Sequence, residues 1–573
     1  MTAAGHVFAW PAWLAIGLLV LVYLPGLAAP LGYDDQAGIV EEPAHRSWSA
    51  AARHALRHPR PLLQLSYALE YRLHRLSPLG CRLFNLASWI GAIVAVGAAL
   101  RAARRTLPAA PAEHLIAPAL LLLAVHPFAV DGVTFVSGRG SILALLLSAL
   151  SAWCYFRSRG AARARLWLMG SAALFWSALA AKESALGLAL ILVAAELAAP
   201  PGARRWKHCA IVVGPVPLLA AARVWLYGLP SASEAAFGWF GHFLVQTELL
   251  GRNLLFFGMP IGLSVDHGRV EPRIWAAALS LVGMLLLWLL ARRHSALRWG
   301  LLVFLAFSLP WFLAPLPDTL VENRLIAPGV GAALVLAAAL DRLPSRLPAT
   351  LAVALLFAAL TVERNRTWAD PVALWSDAAL KAPGQSRPRH NLGLALEAAG
   401  DPVGAERELR AALRLDPDSI LARINLARFL VEQGRHAAAE GLYSEALARD
   451  SGCPPCRLGL GRIAEARGAL DEARSHYVAA AGSARWPAEA LLRLGNLDFR
   501  AGQLEPARAA FALCLELDPD RPDAWANLGL SQAGLGDLAA ARRSLRRALE
   551  LDPSTAVAPV LRVVEGRLRD KLP

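Results

Sequence analysis

The chain has 573 residues, 56% of them hydrophobic, and a mean hydropathy of +0.42, which excludes an all-soluble protein and demands a large membrane part. Its formal net charge of +14 is carried mostly by arginine. Much of that charge sits in short loops between apolar runs, where it sets topology, which argues against nucleic-acid binding.

Apolar runs able to span a bilayer fall at 8–30, 80–100, 115–133, 141–156, 166–181, 185–199, 209–228, 273–291, 299–316, 325–340 and 348–362, about eleven helices in all. The first run is too long for the apolar core of a signal peptide and reads as a retained helix. Arginine-rich loops alternate with others: Arg101/Arg104/Arg105, Arg157/Arg159/Arg163/Arg165, Arg204/Arg205/Lys207, Arg292/Arg293/Arg298 and Arg342/Arg346. The positive-inside rule makes these cytoplasmic. An odd number of helices then places the remaining loops, and everything after the last run, outside.

The outer loops hold charges of both signs. Asp34 and Asp35 directly follow the first run, and adjacent carboxylates there can take a proton, hold a metal ion or cap a helix. Asp131, Arg139, Lys182, Glu183, Glu322 and Arg324 share that side, with His126 before a proline where the third run ends. The runs flanking Lys182–Glu183 are too short for a ~30 Å core, so this pair sits at its outer edge or in a wet cavity. Charges at that depth mark a pathway or site, or snorkel outward as a pair. Two outer stretches, Arg60 to Tyr71 and Phe237 to Phe257, look amphipathic and suit helices lying at the interface.

After Arg366 the composition turns to Ala, Leu, Arg and acids, with a repeat of about 34 residues. Gly400, Gly434, Gly468, Gly502 and Gly536 keep phase, as do Ala405, Ala439, Ala473, Ala507 and Ala541, and Asp-Pro pairs at 416, 518 and 552 close units. These are tetratricopeptide repeats. Asn391, Asn425 and Asn527 recur at the position that faces the groove of such an array, where their amides can hold a peptide main chain. The expected divisions are a membrane domain over 1–366, a linker and half-repeat over 367–386, and about five repeats with a capping helix over 387–573. Of the six cysteines, Cys453 and Cys456 read as idle thiols, a local disulfide being the alternative if this part lies outside the cytoplasm. The fold class is therefore all-α: a polytopic helical membrane domain followed by an α-solenoid.

The whole chain resembles the transmembrane-and-tetratricopeptide-repeat O-mannosyltransferase-like proteins of the GT-C glycosyltransferase class. The resemblance rests on Tyr33–Asp34–Asp35 with Ile39–Val40–Glu41, Arg60–Pro61–Leu62 with Ser66–Tyr67, His126–Pro127, Asp131, Ser137–Gly138–Arg139, Lys182–Glu183–Ser184, and Glu322 with Arg324. The chain departs from that pattern at Ala129, Ser141, Arg82 and Trp89. The resemblance implies a polyprenyl-phosphate sugar donor, with mannose as the sugar, and inverting transfer to a Ser or Thr hydroxyl of a protein held by the repeats. It implies Asp34 or Asp35 as general base, Arg139, Lys182 and Arg324 as groups that bind the donor phosphate, and His126, Asp131, Glu183 and Glu322 in support. A divalent cation, Mg or Mn, on the Asp pair is the cofactor it leaves open. A lipid or polysaccharide acceptor, or a non-catalytic scaffold for envelope proteins, are the competing expectations. Composition points to a bacterial inner membrane with the repeats in the periplasm.

Overall fold

The computed structural model describes residues 12–32, 35–40, 42–107, 110–218, 221, 238–268, 270–313, 321–482 and 487–569. Among them the chain is all-helical, with no strand. It forms two compact units, Met1–Pro388 and Arg389–Pro573.

In the N-terminal unit, apolar sequence and helix length do not always coincide. Among the described residues six helices are long and apolar enough to cross a membrane, including Pro78–Thr106, Ala164–Ala181, Ile274–Ala291 and Arg346–Ala369. A bent pair, Glu113–Ala124 with Pro127–Val133, makes up to seven. The runs expected at 8–30, 209–228 and 299–316 extend beyond the described residues, and those at 185–199 and 325–340 hold helices of only 13 residues, Leu186–Ala198 and Pro328–Leu340. A helix of that length covers about 20 Å, short of the hydrocarbon thickness. Pro127 explains the bend, since it lacks the N–H that would continue the preceding helix.

The core of this unit packs Tyr23, Trp89, Phe128, Ile142, Phe304, Ile326 and Phe357, all buried. The amphipathic stretches fold as the helices Pro61–His74 and Gly238–Gly258, the second leaving Phe240 and Leu255 outward. The segment 367–386 contains the helix Pro371–Lys381, which packs within the N-terminal unit: Lys381 Nζ donates to the Leu263 carbonyl at 2.6 Å. The division between units therefore falls inside the helix Ser386–Ala398.

The C-terminal unit repeats one helical hairpin. Its phased alanines 405, 439, 473, 507 and 541 are fully buried, so paired helices meet on small side chains. The phased glycines 400, 434, 468, 502 and 536 all have φ between +72° and +85°, closing each first helix with a left-handed residue. Asp401 and Asp537 cap the second helices of their hairpins through the N–H groups of Gly404 and Ala540. Cys453 and Cys456 are joined in a disulfide, correcting the reading of idle thiols; they lie three residues apart where a helix begins.

These turns give a pair of opposite predictions. Gly502→Ala places a side chain at φ +74° and should lower stability by about 1 kcal/mol. Gly566→Ala, inside the helix Ala558–Arg569 with nothing within 4 Å of the new Cβ, should raise it by up to about 1 kcal/mol. Denaturant unfolding of the purified full chain in detergent measures both.

Candidate active site

The first outer loop is fixed by Asp35. Its Oδ1 accepts the Ser137 N–H at 2.8 Å, and its Oδ2 accepts those of Val136 and Gly32 at 3.2 and 3.4 Å. Asp35 is 1% exposed, and burial raises its carboxyl above the ordinary range against the pull of these donors. It thus clips the end of the first helix to the turn Val136–Gly138, ahead of the helix Arg139–Ser158. Asp34, its neighbour, lies outside the described residues.

Arg139 occupies the first position of that helix and points inward. It pairs with Glu70 at 2.6 Å, donates to Asn85 Oδ1 at 2.6 Å and to the Cys81 carbonyl at 3.3 Å, and lies between the rings of Tyr67 and Phe84. Both ionic partners are almost wholly buried. Of the cations expected to meet a donor phosphate, Arg139 thus has its guanidinium engaged by Glu70 and by the packing of the helix Pro61–His74.

Lys182 ends the helix Ala164–Ala181 in an extended conformation and starts a short 3-10 turn, Glu183–Ala185. Its Nζ donates to Ser141 Oγ at 2.6 Å and to Asn323 Oδ1 at 2.9 Å. The Asn323 N–H in turn donates to Asp131 Oδ2 at 2.8 Å. Arg324, one residue on, lies 5.0 Å over the Trp311 ring, and Lys182 Nζ lies 5.7 Å from the same ring. Burial, with the nearby Arg60 charge, pushes the Lys182 ammonium down to about 7, while Glu183 opposes the shift.

Arg60, at the start of the helix Pro61–His74, grips Glu183 with both arms, Nη2 to Oε1 at 2.7 Å and Nε to Oε2 at 3.2 Å. Burial alone would raise the Glu183 carboxyl, but Arg60 and Lys182 hold it down at about 2. Glu322 faces away from this pair: it is buried against Arg364 at 3.1 Å and His267 at 3.0 Å, and accepts the Ser264 N–H. Burial opposes its charge, yet Arg364 and His267 keep its carboxyl below the ordinary range. His126 accepts the Phe128 N–H at Nδ1, donates from Nε2 to the Phe257 carbonyl at 3.1 Å, and stacks on Phe257. It caps the bend and is sealed from solvent.

Lys182, Arg324, Glu183 and Asp131 are thus brought into one constellation, which Arg60, Ser141, Asn323 and Trp311 complete. Sequence reading missed the last three because it followed charge. Trp311 was absorbed into an apolar run, and Ser141 stood out only as the residue that departs from an acid in the resembling proteins. In the repeats, Asn425 Nδ2 lies 3.0 Å from His390 Nε2, and Asn527 Nδ2 donates to Asn496 Oδ1 at 2.8 Å. Asn391 is half-buried on its helix.

The tetratricopeptide-repeat family models match residues 396–455, 430–485, 488–521 and 522–555. The C-terminal unit is a tetratricopeptide-repeat array. Over 478 residues, 67% of its length, the chain is 26% identical to the protein O-mannosyl-transferase Tmtc3 of Drosophila melanogaster, and it spans about half (51%) of that relative. The chain is thus similar to a Tmtc protein along much of its length and carries tetratricopeptide repeats at its C-terminal end. Among solved structures it is similar to MamA, at 21% identity over 29% of this chain and 96% of that one with a TM-score of 0.26. It is also similar to TTC0263 of Thermus thermophilus, at 23% identity over 32% of this chain and 98% of that one with a TM-score of 0.27.

Arg60→Ala removes the bidentate grip on Glu183 and should lower the stability of the protein by about 1–2 kcal/mol, with Arg60→Lys recovering only part. Thermal unfolding in detergent gives the comparison.

Proposed function

We propose that this protein is a membrane glycosyltransferase that moves a sugar, in the first instance mannose, from a polyprenyl phosphate to a Ser or Thr hydroxyl of a protein acceptor outside the cytoplasm. The observation that carries the reading is the convergence of Arg60 and Lys182–Glu183 with Ser141, Asn323 and Arg324 beside the loop that follows the first helix. The likeness to an O-mannosyl-transferase supports the class of reaction.

In this reading Asp34 takes the proton from the acceptor oxygen as that oxygen attacks the anomeric carbon. The bond from that carbon to the phosphate oxygen breaks, its electron pair stays with the lipid phosphate, and the configuration inverts. Asp35 positions its neighbour by fixing the loop to Val136 and Ser137. Lys182 and Arg324 receive the departing phosphate's charge, with Trp311 holding the two cations side by side. Asn323 and Ser141 aim the lysine, and Asp131 aims Asn323 through its backbone N–H. Glu322 braces the same turn from behind by its bonds to Arg364 and His267. Any metal, Mg or Mn, would have to draw on Asp34, since the Asp35 oxygens already accept three backbone N–H groups.

A disulfide in the repeats suits an oxidising compartment, which supports an extracytoplasmic array and a bacterial inner membrane with the repeats in the periplasm. The repeat groove then presents the acceptor chain.

Asp34→Asn should abolish transfer without loss of membrane protein, whereas Asp35→Asn should lower both activity and stability. The readout is mass spectrometry of envelope proteins from cells carrying each variant. Hexose lost from Ser/Thr peptides supports the reading; unchanged proteins with altered surface glycan would shift the acceptor to a lipid or polysaccharide, and full activity of Asp34→Asn would overturn the base. Because Lys182 loses its proton near pH 7, donor KM should rise as pH climbs from about 6 to about 8, and Lys182→Arg should flatten that rise.

A further inference from the structure

Away from the Lys182 constellation, the turn between the helices Pro61–His74 and Pro78–Thr106 brings three metal-ligating side chains together. Glu70 and His74 are one helical turn apart on the first helix, and Cys81 lies in the opening turn of the second. One ligand atom from each lies within 4.8 Å of the other two. Among the described residues this is the one group of three such side chains that converges.

Several features hold the cluster. Glu70 and Cys81 are buried, at 0% and 1% exposure, and His74 is half-buried at its edge. Arg139 engages Glu70 through Oε2, while the neighbours of the Glu70 carboxylate on the other side are the Cys81 thiol and His74 Nε2, the latter 3.7 Å from Oε1. A buried carboxylate oxygen met only by a thiol and a distant imidazole is poorly satisfied, and a cation is what would satisfy it. Gly80 supplies the space for the imidazole: a Cβ there would lie 2.5 Å from His74 Nδ1. Arg75 and Leu76 between the helices are both left-handed, at φ 55° and 56°. Neither is glycine, so the turn is kept against its own preference.

We infer that Glu70, His74 and Cys81 form a binding site for a zinc-class transition-metal ion that staples the first outer-loop helix to the helix after it. The donor set of one carboxylate, one imidazole and one thiol suits Zn²⁺ or Co²⁺ and disfavours Mg²⁺ or Ca²⁺. On binding, Cys81 releases its thiol proton and His74 frees Nε2 for the ion. The ring proton then sits on Nδ1 and is donated to Ser77 Oγ, 3.3 Å away, while the Ser77 N–H, which also reaches Nδ1 at 3.2 Å, keeps the His74 carbonyl as its acceptor at 3.0 Å. Closing the ligand atoms to the roughly 3–4 Å spacing of a tetrahedral site takes only side-chain rotation and a small shift. The ion replaces one thiol proton with two positive charges beside Arg139, so Glu70 must serve both cations, one at each oxygen. A filled site would stiffen the helix whose first end carries Arg60, but the site itself does not depend on the glycosyltransferase reading.

The test uses the purified full chain in detergent, reduced and stripped of metal, titrated with Co²⁺ alone and then competed with Zn²⁺. One Co²⁺ per chain with a thiolate-to-cobalt charge-transfer band is expected. Cys81→Ala should remove that band, His74→Ala should weaken Co²⁺ binding at least about tenfold, and Cys154→Ala should change neither. As a second measurement, Zn²⁺ should raise the unfolding temperature of the wild type and leave that of His74→Ala unmoved. Absence of the band in the wild type, its persistence in Cys81→Ala, or an equal Zn²⁺ shift in His74→Ala overturns the site. These readouts need no sugar donor, so they fail or hold independently of transfer activity.

Discussion

A lysine ammonium almost out of contact with water is the constraint to which the N-terminal unit answers. Lys182 sits where one helix stops and the next begins, and a charge so placed persists only if its protons are received. Ser141 and Asn323 receive two of them, from helices and turns far away in the chain. Each of these partners is itself fixed: Ser141 by the helix that Asp35 anchors, Asn323 by the carboxylate of Asp131. Loosening either anchor would leave one of the ammonium protons without its acceptor.

The same logic separates two kinds of arginine that look alike in the sequence. Arg139 and Arg60 both touch the helix Pro61–His74, one buried against Glu70 and the other half-exposed on Glu183. Arg139 holds the helix down, and its charge is cancelled within the protein. Arg60 stands at the helix start, beside the lysine, and adds to the positive field there. A polar inner face built from such pairs lets short helices end inside an apolar unit without stranding their last backbone groups in hydrocarbon.

The repeats were legible because their signal is local. A glycine at fixed phase, small residues where helices cross and Asp-Pro closures are written along the chain, and each has its counterpart in a positive φ or a buried alanine. The membrane part was less so. Hydropathy marks apolar runs but does not say how much of a run is one helix: Pro127 bends the run at 115–133, and the runs at 185–199 and 325–340 hold helices of only 13 residues. Within the site, charged residues were visible as candidates while their roles were not. Nothing in the order of residues distinguishes Arg139, turned inward onto Glu70, from Arg324, set over Trp311. Asn323 and Ser141 carry no charge and act through contacts made across distant parts of the chain. The Cys453–Cys456 pairing was open from spacing alone, because the choice rests on compartment as much as on distance.

The helix Pro371–Lys381 shows where the two halves can be parted. Asp377 reaches Arg364 at 3.6 Å, Lys381 holds the Leu263 carbonyl, and Arg387 pairs with Asp266. A cut made where the apolar sequence ends, after Arg366, would carry those three side chains off with the wrong fragment and leave Asp266 buried without its counter-charge. The seam for dissecting this molecule runs some twenty residues beyond the point that hydropathy suggests, inside a helix, so fragments drawn at the change of composition begin with a torn edge.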